Sequence, residues 1–167
     1  MGSAVEAAVR TAQRILKQNP QRLPIDVIAI AKAHGFSVDF EPFEDTLSGM
    51  FVREHRVIAV NKAHPRVRQR FTIAHELGHA LLHAKSSPLF VDDTQIFHRE
   101  QGRNSLREVQ ANRFAAELLM PEQDVRRVAG NHVELYNETL ISQLARHFDV
   151  SSQAFSARLA ALNLAVI

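Results

Sequence analysis

Cysteine is absent from this chain of 167 residues. Its absence removes three possibilities together: a disulfide framework, thiolate ligands for zinc, and a cysteine nucleophile. Long apolar runs are missing too. No stretch approaches the ~20 residues of a membrane-spanning helix. The first residues show no charged region followed by an apolar core, so no secretory signal is expected. A cytoplasmic location is the expectation. Excess charge of one sign is also lacking, with 20 basic and 18 acidic residues and a net charge of +2. That balance does not argue for a nucleic-acid or membrane-surface partner, and neither is expected. No repeat, low-complexity tract or convincing linker divides the chain. The hydrophobic fraction of 46% is ordinary for a globular protein, and the length suits one domain with a genuine core.

Against this plain background the stretch His75-Glu76-Leu77-Gly78-His79 stands out, an H-E-x-x-H pattern. Two histidines four apart on a helix share a face, with Cβ atoms roughly 5–6 Å from each other. Both rings can then reach one metal ion. Glu76, beside the first His, can approach the attacking water without being a ligand. Residues 71–83 contain no proline and carry a broad apolar surface, as a buried helix does. Gly78 costs ~1 kcal/mol relative to Ala in a helix interior, which suggests close approach of another backbone or of a ligand, with a plain packing reason as an equal alternative. The plainer reading is a buried helix that happens to carry two histidines.

Zinc hydrolases commonly use three protein ligands and keep one position open. Residues 105–121 supply a second helix, stopped at Pro121. Glu108 near its start is a ligand candidate, and Glu117 on the same helix competes with it. Glu108 has a structural alternative as well, since Ser105-x-x-Glu108 fits a capping box. Asn112, at i+4 from Glu108, could fix the orientation of a ligand ring through its other nitrogen. Zn²⁺ suits two imidazoles and a carboxylate; Mn²⁺, iron and nickel remain alternatives.

Together, FTIAHELGHALLH and the downstream ExxANRFAAELLMP resemble the ImmA/IrrE family of metallopeptidases over roughly residues 24–128. The resemblance implies a zincin-like site with His75, His79 and Glu108 as ligands and Glu76 as general base. It also implies a protein substrate, a helix-turn-helix transcriptional repressor cleaved in stress response or in mobile-element control. Gln110 stands where many relatives have a second Glu. An oxyanion donor is not legible; Tyr136, His98, His132 and Arg99 are candidates by residue type alone. His83 continues the spacing of the two ligand candidates, too far along to join them, with an exposed or supporting role expected.

The expected fold class is α+β: a zincin-like helical domain with a small antiparallel sheet and a short C-terminal helical cap. Helices are expected at 4–17 and at 24–34, the latter starting on Pro24 and stopping at Gly35. Strands follow at 36–40, 47–53 and 57–60, the last two forming a hairpin. Residues 85–104 read as a loop on the rim of the cleft. Helical stretches at 121–129, 139–148 and 151–162 complete the chain. Residues 1–130 are expected to form the metallopeptidase domain and 131–167 a helical extension packed on it. The helices around Asp149 resemble a helix-turn-helix, which keeps a DNA-binding regulator as an alternative, although Arg158 is the one obvious cation on the second helix. A non-catalytic, metal-containing binding module is the other alternative.

Overall fold

The computed structural model describes residues 2–20, 22–83, 89–93 and 103–166. Among them, seven helices and six strands build a mixed α+β architecture. Helix α1 (Gly2–Gln18) buries Ala8, Ala12 and Ile15 along one stripe and lies against α4 (Arg103–Leu119). Helix α2 is shorter than the sequence suggests. It spans Val27–Ala33, because the Asp26 side chain accepts a hydrogen bond from the Ala29 N–H and caps it there. Pro24 precedes the helix, after a cis peptide bond with Leu23. At the other end, Gly35 takes φ +79° and terminates the helix as expected. The Arg56 guanidinium donates to the carbonyls of His34 and Gly35 at 2.8 and 2.9 Å and lies over the Phe36 ring.

The main sheet holds β1 (Ser37–Glu41), β2 (Leu47–Val52), β3 (Val57–Asn61) and β4 (Leu89–Asp93) in the order β1-β3-β2-β4. Strands β2 and β3 form the expected hairpin. The sheet as a whole departs from the antiparallel expectation, because β1 runs parallel to β3. The chain leaves β1, crosses the end of β3, and enters β2 on its far side. Asn61, fully buried at that crossing, donates through Nδ2 to the carbonyls of Phe43, Glu44 and Leu47. The buried Asn61 amide thereby finds partners for its own N–H groups and fixes the connection between β1 and β2. The second departure is β4, which lies within the segment read as a loop and pairs antiparallel with β2.

Helix α3 (Arg66–Leu82) begins several residues before the apolar run that announces it and packs on the sheet. Gly49 of β2 permits this. A Cβ there would stand 2.5 Å from Thr72 Cγ2 and 2.7 Å from the Ala59 carbonyl oxygen. Helix α4 then crosses α3, followed by α5 (Glu122–Ala129), α6 (Glu138–Phe148) and α7 (Ser152–Ala161).

The sequence gives no warning of a second, two-stranded sheet. Strand β5 (Val133–Glu134) pairs in parallel with β6 (Ala165–Val166). Buried residues from Ala8 to Leu164 form one hydrophobic cluster. Three ion pairs tie the last helices to the rest. Arg66 and Arg70 of α3 reach Asp149 Oδ2 at 2.7 and 3.3 Å. Arg158 of α7 pairs with Glu117 of α4, both almost wholly buried.

Candidate metal centre

Two helices that cross closely create the site. Gly78 lies where α3 meets α4. A Cβ on it would stand 3.0 Å from Phe114 Cδ1 and 3.2 Å from the Ala111 Cα. The missing side chain therefore lets the α4 backbone approach, the role suggested by its retention in a helix interior. His75 and His79, one turn apart on α3, flank this contact. Their Nε2 atoms are 3.0 Å apart, and the rings meet at a steep 77°. Both rings are buried.

Glu108 reaches them from α4. Its Oε2 lies 3.2 Å from His75 Nε2 and its Oε1 lies 3.1 Å from His79 Nε2. Candidate ligand atoms of the three residues all lie within 4.8 Å of one another. The capping-box alternative does not hold. Helix α4 starts at Arg103, so Ser105 falls inside it and Glu108 turns to the imidazoles. Partial burial raises the pKa of Glu108, but hydrogen bonds and positive charge from His75 and His79 outweigh it and hold the carboxyl well below its ordinary range. Glu108 is thus an anion aimed at two ring nitrogens. A set of two imidazoles and one carboxylate fits a divalent ion such as zinc, with a position left for another ligand.

Surrounding groups fix the rings. His75 Nδ1 lies 2.9 Å from Asn112 Oδ1, one turn beyond Glu108 on α4. His79 Nδ1 lies 3.1 Å from His83 Nδ1, and His83 Nε2 lies 3.1 Å from Gln110 Oε1. His83 is buried rather than exposed. Burial lowers its pKa against the raising effect of the Gln110 contact. Gln110 is the member that sequence reasoning overlooked, where it appeared only as a departure from the Glu of many relatives. Its position two residues after Glu108 carried no signal of a contact with His83. Glu76 is fully buried on α3, beside His75.

Other candidates lie elsewhere. Glu117 does not join the cluster; its carboxylate pairs with Arg158 and accepts from Gln13 Nε2 at 3.3 Å. Tyr136 is 72% exposed, and a hydrogen bond to Glu134 raises its pKa. His132 is exposed. His98 and Arg99 lie outside the described residues.

Comparison with known proteins gives the same direction. The profile of the IrrE N-terminal-like domain family matches residues 31–160. The radiation response metalloprotease IrrE of Deinococcus radiodurans is 34% identical over 108 residues, covering 64% of this chain and 31% of that protein. Its counterpart in Deinococcus deserti is 32% identical over 120 residues, covering 71% and 40%. An uncharacterized immunity region protein 2 of Bacillus phage phi105 is 33% identical over 70 residues, covering 42% and 41%. Among solved structures, a Mycobacterium tuberculosis transcriptional regulator shares the fold with a TM-score of 0.67 at 19% identity, over 93% of this chain and 46% of that one. The chain spans less than half the length of each of these relatives. With a profile match over most of its length and an H-E-x-x-H helix crossed by a Glu-bearing one, the chain belongs to the ImmA/IrrE family of metallopeptidases.

Proposed function

We propose that this chain is a zinc-dependent endopeptidase that cleaves a helix-turn-helix transcriptional repressor. One observation carries the hydrolytic reading: His75, His79 and Glu108 converge from two helices on one point, with the fully buried carboxylate of Glu76 on the same helix turn as His75. His75, His79 and Glu108 hold the ion. Bound there, a divalent metal supplies Lewis acidity, polarising the scissile carbonyl and making water acidic enough to attack near neutral pH. Asn112 accepts the Nδ1 proton of His75 and thereby keeps its Nε2 lone pair free for coordination. Glu76 takes the proton from the attacking water and delivers it to the leaving amine.

The repressor substrate rests on family resemblance and on one relative named as a phage immunity region protein. A cytoplasmic location follows from such a substrate. Two alternatives lose ground on particular residues. A purely structural metal module has no use for the buried Glu76. A DNA reader built on α6 and α7 would need Arg158, which instead pairs with Glu117 and donates to the Met120 carbonyl at 3.0 Å inside the protein.

The test is incubation of the zinc-loaded protein with helix-turn-helix repressors from the same genome. Discrete fragments are expected from the native protein and none from Glu76→Gln carrying the same metal. Equal cleavage by both proteins would remove Glu76 from the mechanism.

A further inference from the structure

His79 is joined to the first turn of α1 by an unbroken line of polar contacts. It runs from His79 Nδ1 to His83 Nδ1 at 3.1 Å, from His83 Nε2 to Gln110 Oε1 at 3.1 Å, and from Gln110 Nε2 to the Ala4 carbonyl oxygen at 3.1 Å. The two histidines come from α3, Gln110 from α4 and Ala4 from α1. His79 and His83 are buried.

The direction of this line follows from its far end. A backbone carbonyl can only accept, so the Gln110 amide must present its nitrogen to Ala4. Its oxygen then faces His83 and can only accept, so His83 Nε2 carries a proton. A neutral His83 that donates from Nε2 has a bare Nδ1. That bare nitrogen needs a donor, which leaves the proton of His79 on Nδ1 and the lone pair on Nε2, the atom that faces Glu108 and His75.

We propose that Gln110, acting through His83, is a positioning residue that sets the metal-binding tautomer of His79, with its own orientation set by the carbonyl of Ala4. The inference rests on the metal-site reading above and extends it to a residue two contacts away from the ligand His79. It gives the two ligand imidazoles matching support by different means. Asn112 accepts directly from His75, while His79 depends on a two-residue relay. Gln110 suits the relay because an amide offers an acceptor to His83 and a donor to Ala4 at once. A methionine of similar length offers no donor and only a weak acceptor.

The test is zinc affinity, measured by competition with a chromophoric chelator, for the native protein, Gln110→Met, Gln110→Glu and His83→Leu. Circular dichroism on the metal-free proteins checks that each is folded. Gln110→Met and His83→Leu should each weaken zinc binding by about 10- to 100-fold, the usual range for outer partners of a metal ligand. Gln110→Glu should lose clearly less than Gln110→Met, because a carboxylate still accepts from His83 although it can no longer donate to Ala4. Should His83→Leu fail to fold, Gln110→Met together with the His83 tautomer decides. Nitrogen-15 NMR of the zinc-loaded native protein reads that tautomer directly, and the proton is expected on Nε2. Native affinity in Gln110→Met, equal losses in Gln110→Met and Gln110→Glu, or a His83 proton on Nδ1 would overturn the relay while leaving the metal site intact. Failure of the native protein to bind zinc would overturn the metal-site reading itself.

Discussion

The α carbon of Ala111 lies 3.2 Å from where a Cβ on Gly78 would stand. That gap sets how near α4 comes to α3, and with it whether Glu108 reaches both imidazoles. Gly78→Ala gains ~1 kcal/mol of helix propensity but forces the crossing apart against a backbone that cannot swing aside. The expected outcome is a small change in stability with a clear loss of zinc affinity. Gly78→Val, with more to accommodate, should cost roughly 1–3 kcal/mol. Denaturant melts of the metal-free variants beside zinc titrations separate the two effects. Undiminished zinc binding by Gly78→Val would show that the helix crossing does not govern the site.

Asn112 holds the Nδ1 side of His75 at 2.9 Å. Asn112→Ala leaves that ring free to rotate and to change tautomer. Zinc affinity should fall about 10- to 100-fold, with the fold preserved by circular dichroism. Isothermal titration provides the measurement, and a native dissociation constant would assign Asn112 a role in packing alone.

Acid should strip the metal by protonating the imidazoles rather than Glu108. Ligation needs neutral rings and an ionised carboxylate. Glu108 has its pKa depressed from an ordinary 4.5 by His75 and His79. In the metal-free protein its contribution to stability is therefore present above that ordinary value and lost as pH falls through the lower folded one. Zinc affinity, by contrast, should begin to fall at higher pH, where imidazoles titrate. Affinity measured from pH 8 to pH 5 should decline with a slope reporting imidazole protonation. A flat profile over that range would argue against histidine ligands.

Arg158 and Glu117 form an ion pair in the protein interior. Arg158→Met leaves the Glu117 carboxylate buried without its cation, and a loss of roughly 3–5 kcal/mol is expected. The double change Arg158→Met with Glu117→Leu removes both charges and should recover most of it. Denaturation in urea provides the check. A loss in the double variant equal to the sum of the two single losses would mean that the pair is not coupled.

The two site helices were legible because their chemistry sits in short, local patterns. The spacing of His75 and His79 and the pairing of Glu108 with Asn112 each follow from helix periodicity. Gly78 signalled a close contact because its presence in a helix needs a reason. What stayed hidden depends on neighbours distant in sequence. Strand β1 runs parallel to β3 because of a crossing held by Asn61, and the local alternation of residues 36–40 contains no record of that partner. Strand β4 carries no clear alternation, so its pairing with β2 had no signal. The first turn of α2 was misplaced because Pro24 and Asp26 both suit a helix start, and the side-chain cap of Asp26 prevails. Arg158 looked available for phosphate until the fold brought Glu117 beside it. His83 and Gln110 meet only because α3 and α4 cross.

Metal stoichiometry bears most directly on the central claim that three side chains hold one divalent ion. Elemental analysis after zinc loading and removal of excess metal should give one zinc per chain for the native protein and for Glu76→Gln. Glu108→Ala, and the double variant His75→Ala with His79→Ala, should retain almost none while remaining folded. Full zinc occupancy in the double histidine variant, or none in the native protein, would contradict the claim.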